Sequence, residues 1–267
     1  MARAAKAKSK SRAQSKNKSR KASMGTTRAA KDIVTIGYEH SKLPSARKLK
    51  GSLEDWKQAL GGKGAGLARM VKLKVPVPPA FNLATSLCQV YLMRQNLPAA
   101  VIENSELALS GMEKTLKKTF GSPEKPLLVS VRSGAPVSMP GMMDTILNLG
   151  LNTKITQSLA EAEPEQARFW WDCYRRLIIM FADVVLGLDR ELFERSMDQK
   201  KQDESVSNDA QLSATALEAL CMEFLQLIKE EGEDFPQDPR KQLFKSIEAV
   251  FRSWNTERAI HYRELNS

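Results

Sequence analysis

The chain has 267 residues, of which 42% are hydrophobic and 27% charged, and it carries a net charge of +10. That is enough apolar material for one large domain or two small ones. The apolar run 177–188 falls well short of the roughly 20 residues of a membrane-spanning helix and is broken by Asp183. Three scattered cysteines, Cys88, Cys173 and Cys221, give neither a disulfide framework nor a zinc pattern, and read as buried reduced thiols.

The charge is unevenly placed. Residues 1–31 hold seven Lys and four Arg and no acidic residue, and setting those 11 aside leaves 30 basic against 31 acidic residues. The excess therefore sits in the first 31 residues, and the overall pI says little about nucleic-acid binding by the rest. With so little to bury, this segment is expected to be disordered. It reads as a solvated basic tail that touches nucleic acid or anionic surfaces only weakly, as an organelle transit peptide, or as a misassigned start with Met24 as the true one. The expected location is the cytoplasm, or an organelle under the transit reading.

In chain order, Ile33, Val34 and Ile36 predict a short strand ended by Gly37, and 38–51 a loop. Ser52 is a predicted N-cap with Asp55 three positions on, and Leu53, Trp56 and Leu60 recur at helical spacing. A glycine-rich turn, GGKGAG at 61–66, then leads into a helix. It is neither a P-loop nor G-x-G-x-x-G. It is either a tight structural turn with a solvated Lys63, or a close-approach loop placing that lysine on a phosphate before a helix N-terminus. The prolines of 75–83 exclude helix. Helices are expected over 84–96 and 105–120.

The apolar run 127–131 predicts a buried strand, and Arg132 sits where it ends. That arginine serves either an anion or a salt bridge. The loop 134–144 is rich in Met, and its Met139, Met142 and Met143 either cover a planar ring or pack into the core. Asp144 can cap a helix, pair with Arg132 or approach a metal. A return strand follows over 145–149. Beyond 153 the pattern is helical: 169–186, with Trp170, Tyr174, Leu177, Ile178 and Phe181 as core, then 189–201, 213–231, 239–253 and 256–265. His40 and His261 are isolated, and His261 reads as a surface residue.

The ordered set GGKGAGLARM, VPVPPAF, LLVSVRSGAPVSMPGMMDTILNLGL, YRRLIIMFADVVLGL, FPQDPRKQL and VFRSWNTERAIHYRELN closely resembles the N-terminal nucleotide-binding domain of the pyruvate, phosphate dikinase family over about residues 32–267. The resemblance implies an α+β, ATP-grasp-like fold with a largely helical inserted subdomain, here incomplete. Its parts would be 1–31 as tail, 32–152 as a mixed nucleotide-binding portion, and 153–267 as a helical subdomain with the start of a second half. It implies ATP and Mg²⁺ as cofactors, with the metal-holding carboxylates after Ser267 and no metal ligand in this chain. By motif, Lys63 and Arg132 would hold the ATP phosphates, with Arg132 the catalytic group. Gly141, Met142, Met143, Asp144 and Thr145 would form the loop over the nucleotide. In the complete enzyme, ATP, phosphate and pyruvate become AMP, diphosphate and phosphoenolpyruvate. Neither histidine here lies in the family's phosphohistidine motif. The chain is therefore expected to be inactive alone, working with the remaining dikinase domains in trans or in a longer parent chain. The alternative is a non-catalytic nucleotide-binding or regulatory module derived from that domain.

Overall fold

The structure, a computed structural model, describes residues 33–134 and 145–265. The expectations for residues 1–31 and for the Met-rich loop at 135–144 lie outside them. Two compact units meet between Met112 and Glu113.

In the first unit, β1 (Ile33–Ile36) pairs antiparallel with β2 (Ala80–Leu83), in the register Ile33–Leu83 to Ile36–Ala80. All four residues of β1 are buried, because the ribbon is covered on both faces. Val34 and Ile36 pack with Leu60, Ala68 and Val71, while Ile33 packs with Leu43 and Ala108. That split follows the two-residue alternation of a strand. Thr35 is buried between them, its hydroxyl donating to the carbonyls of Tyr38 and Pro44. The predicted N-cap is present: Ser52 and Asp55 form a reciprocal capping box that opens α1 (Leu53–Lys72). Residues 38–51 are a loop with one short 3-10 turn, Ala46–Lys48. The helices α2 (Ser86–Arg94) and α3 (Ala99–Leu116) follow, the second earlier in sequence than the 105–120 expected. Tyr38 donates its hydroxyl to Ala108 O at 2.7 Å, and a side chain at Gly111 would strike its ring. Burial raises the Tyr38 phenol pKa, so it stays a neutral donor.

In the second unit, β3 (Val129–Arg132) pairs antiparallel with β4 (Thr145–Leu149) across a bulge between Val129 and Val131. The helices α4 (Thr153–Ala162), α5 (Ala167–Phe181), α6 (Glu191–Asp203), α7 (Ala214–Glu230), α8 (Pro239–Ser253) and α9 (Glu257–Leu265) make up most of the rest. A single π-helical turn, Ala182–Leu186, extends α5 and ends at Gly187 in the left-handed region. The core is aromatic: Tyr174, Phe181, Phe193 and Phe224 are fully buried, and Phe235 stands edge-on to Tyr174 and Phe181. Pro239 opens α8 behind an Asp238 cap, as the sequence pattern predicts.

Three expectations need correction. The apolar run 127–131 is not a buried strand. The ladder starts at Val129, and its residues alternate half-buried and exposed, because the sheet has only two strands among the described residues. Trp170 is half-buried with its indole N–H on Glu163, and Trp171 takes the core position instead. Of the cysteines only Cys221 is buried; all three are free thiols.

The fold is thus mixed and mainly helical, with two small sheets among the described residues, in keeping with part of an ATP-grasp-like domain.

Candidate nucleotide site

The glycine segment is not a loop. Residues 62–66 are helical, and the departure is one residue: Gly61, at φ 73° and ψ 169°, breaks α1 into two segments. Such a conformation is essentially confined to glycine. Thr85 closes the end of the first segment, its N–H donating to Ala59 O at 3.0 Å and its hydroxyl to Gln58 O. Carbonyls at a helix end need such partners. Lys63 therefore lies in the first turn of the second segment, exposed to solvent.

The other glycines serve different ends. A Cβ on Gly64 would lie 2.4 Å from Asn82 Oδ1, so Gly64 lets α1 pack closely on β2. Gly66 faces open space. The rigid placement of Lys63 thus comes from Gly61, Gly64 and Thr85. The last carries no motif signal and was not legible in the sequence.

In the second unit, Arg132 is exposed at the end of β3, where its register partner is Thr145, the first residue of β4. The two lie side by side at the mouth of the loop between the strands. No carboxylate pairs with Arg132 among the described residues, so the salt-bridge reading finds no support there. Gly141, Met142, Met143 and Asp144 lie outside the described residues. Lys63 belongs to the first unit and Arg132 with Thr145 to the second.

The ladder is anchored from behind. Gln242 on α8 is fully buried: its Oε1 accepts from Gly150 N at 3.2 Å, and its Nε2 donates to Leu151 O and Pro236 O at 2.8 and 2.9 Å. Gly150, at φ +111°, has no room for a side chain between Leu127 O and the Phe120 ring. Gln237 accepts from Thr153 N and donates to the Tyr174 hydroxyl. Burial pushes the Tyr174 phenol pKa up to about 12, only partly offset by its hydrogen bonds to Thr153 and Gln237. The sequence singles out the FPQDPRKQL segment but not these roles of its two glutamines.

Burial raises the Cys221 pKa, leaving a neutral thiol unsuited to nucleophilic attack. His261 is exposed, and His40 Nδ1 accepts from Lys42 N in a local turn. Among the described residues no three His, Cys, Asp or Glu side chains are grouped to hold a metal ion. Nor is any helix among them long and apolar enough to cross a membrane.

Comparison with known proteins identifies the family. Residues 98–267 match the model for the pyruvate phosphate dikinase AMP/ATP-binding domain. The chain is 44% identical over 211 residues to pyruvate, phosphate dikinase 2 of Oryza sativa subsp. japonica, covering 79% of this chain and 24% of the relative. It is 44% identical over 223 residues to pyruvate, phosphate dikinase of Rhizobium meliloti (strain 1021), covering 83% and 25%. It is 41% identical over 247 residues to the chloroplastic enzyme of Mesembryanthemum crystallinum, covering 92% and 25%. The chain thus spans about a quarter of the length of these relatives. By the family match over residues 98–267, the chain belongs to the pyruvate phosphate dikinase AMP/ATP-binding domain family.

Proposed function

We propose that this chain is the ATP-binding portion of a dikinase-type phosphotransferase, with residues 32–152 as its nucleotide-binding part and 153–267 as its helical subdomain. The observation that carries the reading is 44% identity to two dikinases across most of the chain, taken with its place in an AMP/ATP-binding domain family. Lys63 and Arg132 each present an exposed cation on a fixed element. Phosphoryl transfer asks a protein chiefly for positioning and charge neutralisation. Lys63 supplies a compact ammonium, and Arg132 a planar fork that fits phosphate oxygens two at a time. Thr145, as register partner of Arg132, and Gly141, Met142, Met143 and Asp144 before it form the cover over the nucleotide.

Mg²⁺ would add charge neutralisation when bound. Among the described residues no three His, Cys, Asp or Glu side chains are grouped to hold it. Turnover of pyruvate and phosphate to phosphoenolpyruvate belongs to a longer assembly that also supplies a phosphohistidine and a pyruvate site, in the same chain or in trans. Thermal denaturation of the full chain tests the reading. Millimolar ATP should raise the melting temperature in a concentration-dependent way; an unchanged melting temperature at saturating ATP contradicts it.

A further inference from the structure

The cleft at the C-terminal end of α1 plays no part in the nucleotide reading. Its volume is about 520 Å³, within the range of small-molecule sites. Its charged lining is Arg47, Lys72 and Lys74, with no carboxylate among the lining residues. Gly37 and the 75–77 segment complete the wall, and Gly37 must be glycine because a Cβ would lie 2.9 Å from Val77 O.

Each cation is held in place by the fold. Arg47 sits in the 3-10 turn begun by Ser45, whose hydroxyl accepts from Arg47 N. Lys72 donates to Leu49 O at 2.6 Å and lies over the Trp56 ring, which is itself fixed by a bond to Lys50 O. Lys74 closes the helix: its N–H reaches Val71 O, the next N–H reaches Met70 O, and its own φ is +61°. Glycine is the usual residue at that closure, and a lysine there is strained. Gln95 and Lys117 also adopt positive φ at or just beyond the ends of their helices, so the strain alone marks nothing. What sets Lys74 apart is its place in a cluster of like charges. Arg47 and Lys74 have no acidic partner among the described residues, and Glu39 is engaged by Lys48 at 3.7 Å. Three cations around one concavity repel each other and focus a positive field into it. Lys63 lies nine residues before Lys72 on α1, roughly 14 Å along the axis, so this is a separate place.

We propose that this cleft binds a phosphorylated small molecule, its phosphoryl oxygens held by Arg47 and Lys74 with Lys72 beside them, at a site distinct from Lys63. The guanidinium fork can take two oxygens, and Lys72 keeps donors beyond the one spent on Leu49 O.

The test uses the full chain, inorganic diphosphate as probe, and sodium chloride at matched ionic strength. At about 100 times its Kd, diphosphate should raise the melting temperature by about 5–10 °C. Arg47→Ala and Lys74→Gly should each weaken the response at least about tenfold, the loss of one charged hydrogen bond. Lys74→Gly should also raise the ligand-free melting temperature, since glycine relieves the positive φ. Because diphosphate can also engage Lys63, Lys63→Ala should keep a diphosphate response, and adding Arg47→Ala and Lys74→Gly should remove it. The inference is overturned if the wild type does not respond, if chloride acts equally, if the Arg47→Ala/Lys74→Gly double variant responds in full, or if Lys63→Ala abolishes the response. A chain that ignores ATP yet responds to diphosphate through Arg47 and Lys74 would sink the nucleotide reading and keep this one.

Discussion

The two compact units solve the same problem with different materials. The first wraps a two-stranded ribbon in small side chains: Ala46, Ala68 and Val71 on one face, Leu43 and Ala108 on the other. Its control over Lys63 comes from backbone, through a broken helix, a close glycine and a threonine cap. The second unit packs aromatic rings in its core, and side chains, Gln242 and Gln237, anchor the chain that leaves the ladder carrying Arg132. An exposed cation can thus sit on an element shaped either by where the chain bends or by what is packed behind it. The two devices should fail differently under mutation.

The largest expected effect is in the aromatic core. Phe224 is fully buried and stands edge-on to Phe193 at 5.2 Å. Phe224→Ala should cost about 3–5 kcal/mol by denaturant unfolding, against about 0.5–1.5 kcal/mol for Ile36→Val in the first unit. A cost below about 1 kcal/mol for Phe224→Ala would contradict the burial of its ring. Next comes Gln242→Ala, which strands one buried N–H and two carbonyls and should cost about 2–4 kcal/mol.

The buried phenol gives a pH signature of similar size. Tyr174 has a folded pKa of about 12 against an unfolded value of 10.0. The folded state then holds its proton more tightly, so the contribution is complete below pH 10 and is lost as pH rises towards 12. Tyr174→Phe should flatten the alkaline fall in stability by about 2–3 kcal/mol over that window. Parallel curves for variant and wild type would remove Tyr174 from the account.

The smallest effects test the backbone device, and they should have opposite signs within one motif. Gly61→Ala forces a non-glycine residue into its conformation and should cost about 1–3 kcal/mol. Gly66→Ala, helical and facing open space, should stabilise by about 0.5–1 kcal/mol. If both destabilise, the glycines act as a loop after all.

Much of this architecture was legible beforehand, and the misses share a cause. The Ser52–Asp55 box, the strand ended by Gly37, the return strand 145–149 and the Pro239 helix start all rest on local chemistry, and all are present. Glycine-rich sequence permits a loop at GGKGAG without requiring one. Contacts of Gly64 with Asn82 and of Thr85 with Ala59, set by tertiary packing, decide in favour of helix. Apolar composition suggests a buried strand at 127–131 but cannot reveal how many strands flank it. At the site, Lys63 and Arg132 were identified by type and position, whereas Thr85 and Gln242 were not. Their bonds span 26 and 92 residues, which no local pattern records.

The central claim is the proposal that Lys63 and Arg132 each contribute to ATP binding by this chain. Isothermal titration of ATP with Mg²⁺ into the wild type, Lys63→Ala and Arg132→Ala is the direct measurement. The account predicts saturable binding to the wild type, weakened by about 1–3 kcal/mol in each variant, as for loss of a charged hydrogen bond. An affinity unchanged in both variants, or no heat from the wild type, would contradict it.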